Sequence, residues 1–378
     1  MIRYIAVGAL NLCMCASMAP GQQMRFNYPM PTAGAVIVSR GVSIGVPGLT
    51  MDVHRPSGAT RLPALVFFNL SFGPAEGDDP FYTPWAQAAA VNGVVAIRPV
   101  IRSDSARQDF TRLLDHLTTR ASDYGIDPNA IAVYAGSGNV STALPIVEDP
   151  TMTRVKAAVM FYGTAPIREF RRDLPLLFVR AGLDRPGVTT TMTQLASLAL
   201  SQNVPVTVLN DPGGHHAFEI VDDDAATRDA IERTVDFVKR TTAAPYQAAL
   251  RASLPEATAA AHVATQNFAA ASSIYRDLVA AKPDDARLRL SFGEALLGAT
   301  QFADACAQFA QLRGKGLGPR DLGLPAARAC VLAGDQETAI GWLKSIPSRF
   351  LPRSVESDSA FAPLRARPDF RALFTPPA

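Results

Sequence analysis

Between residue 33 and about residue 240 the chain alternates short, largely apolar runs with amphipathic stretches. Ala64–Phe68, Val94–Ile97, Ile131–Tyr134, Ala157–Tyr162, Leu176–Arg180 and Val204–Leu209 have the length and near-continuous apolarity of strands covered on both faces. Residues 84–91 and 105–124 read as helices, the second with Phe110, Leu113, Leu114 and Leu117 at helical spacing on one face. Segments 33–54, broken by Gly41, Gly45 and Pro47-Gly48, read as antiparallel starter strands. Asp127-Pro128-Asn129 predicts a turn into the strand at Ile131. Strands alternating with helices predict an α/β fold, a parallel sheet with helices on both faces, and such sheets bind ligands at the carboxyl ends of their strands.

Beyond residue 240 the pattern changes. Thr241-Thr242-Ala243-Ala244-Pro245 has the composition of a boundary, and the chain after it is alanine-rich, helical in periodicity and free of strand-like runs. It also repeats: Ala271, Ala305 and Ala339 recur every 34 residues, as do Ala259, Gly293 and Ala327, then Tyr275, Phe309 and Leu343, then Leu278, Leu312 and Ile346. Small residues in one column beside bulky ones in the next resemble the tetratricopeptide repeat, in which paired helices cross closely. Pro283 fits the proline that ends such a repeat, whereas Leu317 and Leu351 depart from it. The predicted organisation is a signal segment at 1–21, an α/β domain at 33–241, a linker at 242–254, helical repeats at 255–350 and a capping segment at 351–378. A stacked repeat presents a concave surface, so a protein partner is expected there.

The chemistry begins at Ser137, which lies between Gly136 and Gly138 directly after the strand Ile131–Tyr134. Ala135-Gly136-Ser137-Gly138-Asn139 approximates the nucleophile elbow, in which a tight strand-to-helix turn lifts a serine hydroxyl above the sheet. Ala135 and Asn139 stand where glycine is usual, and an ordinary glycine-rich turn is the competing reading. Two further residues fall at strand ends. Asp184 follows the strand Leu176–Arg180 in the loop Ala181-Gly182-Leu183-Asp184, and His216 follows Val204–Leu209 in the loop Gly213-Gly214-His215-His216-Ala217-Phe218.

The order serine, aspartate, histidine is the one found in α/β-hydrolases and differs from the orders in chymotrypsin-type and subtilisin-type proteases. On Ile131–Asn139, Leu176–Asp184 and Gly214–Phe218, residues 40–240 resemble the dienelactone-hydrolase-like branch of the α/β-hydrolase family. In that family the histidine precedes a small residue and a phenylalanine, which selects His216 over His215. The resemblance implies an acyl-enzyme on Ser137, with His216 as general base and Asp184 orienting it. The oxyanion donors it implies are the Gly138 N–H and an N–H from the loop Asn69-Leu70-Ser71-Phe72-Gly73, on Leu70 or Ser71. Relatives commonly carry His-Gly in that loop, and this chain does not. Phe81, Tyr82 and Trp85 are candidates for a substrate pocket or for core packing, and Pro145 predicts a short or kinked helix after the elbow. A catalytically decayed core that binds partners through its repeats is the competing class; Asn69, Asn139 and Pro145 favour it, and the full triad opposes it.

Composition narrows the partners. With 36 basic and 34 acidic residues among 378, the net charge of +2 implies no nucleic-acid or anionic-surface binding. The substrate is expected to be a small ester, since no long insertion supplies a lid. Arg3, the apolar stretch Tyr4–Cys15 and the small residues Ala16–Gly21 read as an export signal cleaved after Gly21, so a periplasmic or secreted protein is expected, without stable membrane insertion. Removing that segment leaves Cys306 and Cys330; the two could form one disulfide in an oxidising compartment, but at their apolar helix positions packing as small core residues is the favoured expectation. No Cys/His spacing suggests zinc, and neither metal nor cofactor is expected.

Overall fold

A computed structural model describes residues 26–29, 35–58, 61–70 and 81–374. The expected signal segment lies outside the described residues. The chain divides into two units, one ending at Ala252 and one beginning at Ser253.

Among the described residues the first unit is built on eight strands: β1 (Val36–Val46), β2 (Leu49–Pro56), β3 (Leu62–Phe67), β4 (Val95–Pro99), β5 (Ile126–Gly136), β6 (Val155–Phe161), β7 (Leu176–Ala181) and β8 (Val206–Asp211). They form one sheet in the order β1-β2-β4-β3-β5-β6-β7-β8, in which β2 runs against both its neighbours and every pair from β4 to β8 is parallel. The predicted α/β class is therefore observed. After β3 the chain turns to one side to form β4, then crosses to the other side to form β5. Loops leaving β3 and β5 consequently diverge, which opens a crevice at their carboxyl ends.

Successive side chains along each central strand enter opposite layers. Val66, Val133, Met160 and Phe178 join one core with helices α2 (Ala106–Thr119), α3 (Val140–Val147) and α4 (Pro186–Ser201). Phe67, Tyr134, Phe161 and Val179 join another with α1 (Tyr82–Val91), the single turn α5 (Phe218–Val221) and α6 (Ala225–Thr242). Tyr134, Phe67, Phe161 and Phe178 are each under 2% exposed, and each contributes on the order of 1.5–3 kcal/mol by burial.

Local departures from expectation have local causes. Asp127-Pro128-Asn129 lies inside β5, not before it: pairing to β3 passes from Leu62–Ile126 to Ala64–Ile131, so the proline triplet is absorbed as an irregularity. The long helix predicted for 105–124 breaks at Arg120. α3 carries Pro145 inside and is only eight residues long. No linker coil occupies 242–254, because α7 (Ala244–Ala264) starts two residues after α6 ends, and Gln247 anchors its first turns by donating to the Lys156 and Thr241 carbonyls at 3.0 and 2.7 Å.

The second unit continues with α8 (Phe268–Ala281), α9 (Ala286–Gly298), α10 (Phe302–Ala310), α11 (Pro319–Leu332) and α12 (Gln336–Ser345), each packed on the next. Asn267, Asp285 and Asp335 cap α8, α9 and α12 by accepting first-turn N–H groups. Three of the four 34-residue columns map onto alternate helices and are buried: Ala271, Ala305 and Ala339 are fully covered, as are Ala259 and Ala327. A Cβ at Gly293 would meet Phe309 at 2.7 Å, so two columns interlock there. Cys306 and Cys330 are not packed as free thiols as expected; a disulfide joins them, linking α10 to α11. Residues 351–374 form short helical turns anchored by Phe361, Leu364 and Phe370. Among the described residues no helix is long and apolar enough to cross a membrane.

Candidate active site

β5 stays extended through Gly136, at φ −121° and ψ 153°, and the chain then reverses at Ser137 with φ +55°. A non-glycine residue in the left-handed region is strained, and here the strain lies at the strand-to-helix turn that leads into α3. Ser137 and Asn139 are half-buried and Gly138 is exposed. Space for the turn comes from Gly163, just beyond β6. A Cβ there would lie 2.3 Å from Val140 Cγ2 and 2.6 Å from the Ser137 carbonyl oxygen. In the sequence Gly163 is marked only as the residue after the apolar run Ala157–Tyr162.

The structure brings Ser137, His216 and Asp184 together. Ser137 Oγ lies 2.8 Å from His216 Nε2, and His216 Nδ1 lies 2.6 Å from Asp184 Oδ2. The Asp184 side chain is 1% exposed and that of His216 is 11% exposed, so the carboxylate is dry while the imidazole edge meets the crevice. Asp184 Oδ1 accepts the Arg185 N–H at 2.6 Å. Two backbone bonds knit the loops that carry these groups: Gly182 N–H to the Asp211 carbonyl at 2.7 Å and Leu183 N–H to the Gly214 carbonyl at 2.9 Å. The loops approach so closely that a Cβ at Gly182 would sit 2.4 Å from the Pro212 oxygen. His215 turns elsewhere, its Nδ1 lying 2.8 Å from Asp222 Oδ1. Ala217, at φ +61°, makes the sharp turn between His216 and α5.

Of the expected oxyanion donors, Gly138 follows the serine at the turn. The N–H of Leu70 donates to Asn139 Oδ1 at 3.0 Å. Ser71 lies outside the described residues. Asn139 Nδ2 also donates to Tyr82 Oη at 3.2 Å, so the residue that breaks the glycine pattern ties the β3 loop and α1 to the elbow. Trp85 is fully buried and Tyr82 nearly so, which makes them core residues and not pocket walls; Phe81 is half-buried.

Beneath His216 lies a residue sequence reasoning passed over. Glu219, fully buried on α5, accepts the Tyr162 hydroxyl at 2.7 Å on Oε2, and the Tyr134 hydroxyl at 3.1 Å and Trp85 Nε1 at 3.4 Å on Oε1. Burial pushes its carboxyl above the usual range, against the pull of these donors. The Tyr162 ring centroid is 4.8 Å from that of His216. An acid inside the apolar run Phe218-Glu219-Ile220-Val221 was the available signal. Among the described residues no group of three or more His, Cys, Asp or Glu side chains is placed to hold a metal ion.

Residues 143–242, which contain Asp184 and His216, match the dienelactone hydrolase family. No curated protein matches the chain. Among solved structures, an esterase from the fungus Rhizomucor miehei is similar at 15% identity and a TM-score of 0.48, over 57% of this chain and 85% of that one. A Pyrobaculum calidifontis esterase is similar at 16% identity and a TM-score of 0.46, over 56% of this chain and 86% of that one. Brefeldin A esterase, a bacterial homologue of human hormone-sensitive lipase, is similar at 14% identity and a TM-score of 0.48, over 63% and 87%.

Proposed function

We propose that the chain is an exported serine hydrolase that cleaves small carboxylic esters through an acyl-enzyme on Ser137. The observation that carries this is the unbroken hydrogen-bonded series Ser137 Oγ, His216 Nε2, His216 Nδ1, Asp184 Oδ2 at 2.8 and 2.6 Å. A serine hydroxyl is a weak nucleophile at neutral pH. His216 Nε2 takes its proton as Oγ attacks the ester carbonyl carbon, and Asp184 holds the tautomer that leaves Nε2 free to accept. The carbonyl oxygen becomes an oxyanion, for which the proposed donors are the Gly138 N–H and a second backbone N–H from the loop after β3. Collapse breaks the bond to the leaving alkoxide, which receives the proton from His216. Water then attacks the acyl-serine by the same proton route and releases the acid. Small or accessible esters are favoured because, among the described residues, the strands and helices succeed one another without a long inserted lid.

The Cys306–Cys330 disulfide supports export, since such bonds persist in oxidising compartments. The buried 34-residue columns support a tetratricopeptide-like module that presents a surface to a protein partner. The test of the catalytic reading is fluorophosphonate labelling and then peptide mapping. Label on Ser137, lost in Ser137→Ala and His216→Ala, is the expected result, and wild-type esterase activity in Ser137→Ala would refute it.

A further inference from the structure

We propose that Glu219 is a positioning residue for this hydrolase: through Tyr162 it fixes His216 and favours the imidazolium that forms when Ser137 attacks. The inference rests on the hydrolase reading above.

Three observations carry it. First, Glu219 is held from three elements at once, by Trp85 of α1, Tyr134 of β5 and Tyr162 beyond β6, and its carbonyl also accepts the Asn27 N–H at 2.9 Å. Satisfying a core packing need would not require a carboxyl group, which burial disfavours. Second, β5 ends one residue before Ser137, while α5 begins two residues after His216. The carboxylate therefore joins the strand that presents the nucleophile to the helix that comes after the base. Third, Tyr162 has φ +32°, a strained conformation for a side-chain-bearing residue, and it places the ring beside His216 while its hydroxyl reaches Glu219.

A phenol that donates to a carboxylate has a more electron-rich ring, and a ring beside an imidazole favours its cationic form. No proton need leave Tyr162; the Tyr162 O–H stays donated to Oε2 throughout the cycle. Around His216 the other polar and titratable groups are Asp184 after β7, with Arg185 next to it, and Ser137 after β5; around Glu219 they are Tyr134, Tyr162 and, from α1, Tyr82 and Trp85.

The test is the second-order rate of Ser137 labelling by a fluorophosphonate, measured from pH 5 to 9 on the full chain, for wild type, Glu219→Gln, Tyr162→Phe and the double variant. Tyr162→Phe keeps the ring and removes only the hydroxyl. Each single variant should label about tenfold more slowly at neutral pH, a fraction of the 10²–10⁴-fold a general base supplies, with the acid limb of the profile moved to lower pH. The double variant should be no slower than the slower single one, since both break one connection. Profiles that keep their wild-type acid limb, or losses that multiply in the double variant, would overturn the proposal. If Glu219→Gln does not fold, Tyr162→Phe alone decides by the same criteria. Absence of label on wild-type Ser137 would instead overturn the hydrolase reading itself.

Discussion

Gly163→Ala adds one methyl group at the point where β6 passes under the nucleophile turn. Its Cβ would stand 2.3 Å from Val140 Cγ2, 2.4 Å from Val140 Cβ and 2.6 Å from the Ser137 carbonyl oxygen. Carbon atoms in contact sit about 3.5–4.0 Å apart, so something must move by roughly 1 Å or more. Val140 is fully buried at the start of α3, and its N–H donates to that same Ser137 carbonyl, so helix and turn move together. Overpacking of this kind costs about 1–3 kcal/mol, and for a unit of this size each kcal/mol lowers Tm by about 2–4 °C. The effect on chemistry should be larger. Ser137 Oγ must meet both His216 Nε2 and a carbonyl carbon, and a displacement of about 1 Å in such a constellation costs about 100-fold in rate.

Fluorophosphonate labelling rate and thermal melting, measured side by side, separate the two effects. Gly187→Ala is the control: it lies in α4 with nothing within 4 Å of the added Cβ, and alanine in a helix should stabilise by roughly 0.5–1 kcal/mol without touching the site. Gly163→Ala that labels at the wild-type rate would refute the account of how the turn is held, whatever its Tm.

Asp184→Asn should retain the fold but label and turn over roughly 10³–10⁴-fold more slowly, because the amide favours the wrong imidazole tautomer; an undiminished rate would contradict the triad. Glu148, at the end of α3, has its carboxyl pushed up from 4.5 to about 7 by burial, against the opposing Arg171 N–H at 2.7 Å. The fold thus favours its neutral form, stability is full below pH 4.5 and is lost as pH rises through 7, and Glu148→Gln should recover about 3 kcal/mol at pH 8. A variant-minus-wild-type difference that is the same at pH 5 and pH 8 in urea unfolding would count against this. Ala305→Leu should destabilise the helical unit by about 1–3 kcal/mol, since Ala305 is fully buried between helices; unchanged melting would show that the column is not a close crossing. Produced in a bacterium with its own N-terminus, the protein should be recovered outside the cytoplasm lacking its first ~20 residues, and intact Met1 on a cytoplasmic product would contradict export.

The triad was legible because each member is announced by short-range signals: a strand that ends, a glycine that permits a turn, and a chain order shared with one fold class. The sheet was legible for the same reason, since a strand covered on both faces must be apolar throughout. Features that depend on meetings between distant segments were not. Cys306 and Cys330 occupy apolar helical positions that suit free thiols equally well, and only the packing of α10 on α11 brings their Cα atoms to 4.8 Å. Thr241–Pro245 has the composition of a boundary, but Gln247 finds two carbonyl acceptors 91 and 6 residues away, and a helix starts at Ala244 against them. Glu219 stands in an apolar run, which marks it as buried, yet its three donors come from residues 57 to 134 positions away.

Asn139 shows why a departure from a motif is not always a loss. Glycine at this place would fit the turn but offer nothing to the loop after β3. The Asn139 amide reaches across the crevice, taking the Leu70 N–H on its oxygen and giving a hydrogen to Tyr82. Leu70 lies 69 residues before it, directly across the point where the chain order of the sheet reverses. Two loops that diverge by topology are thus tied by one side chain, next to Ser137.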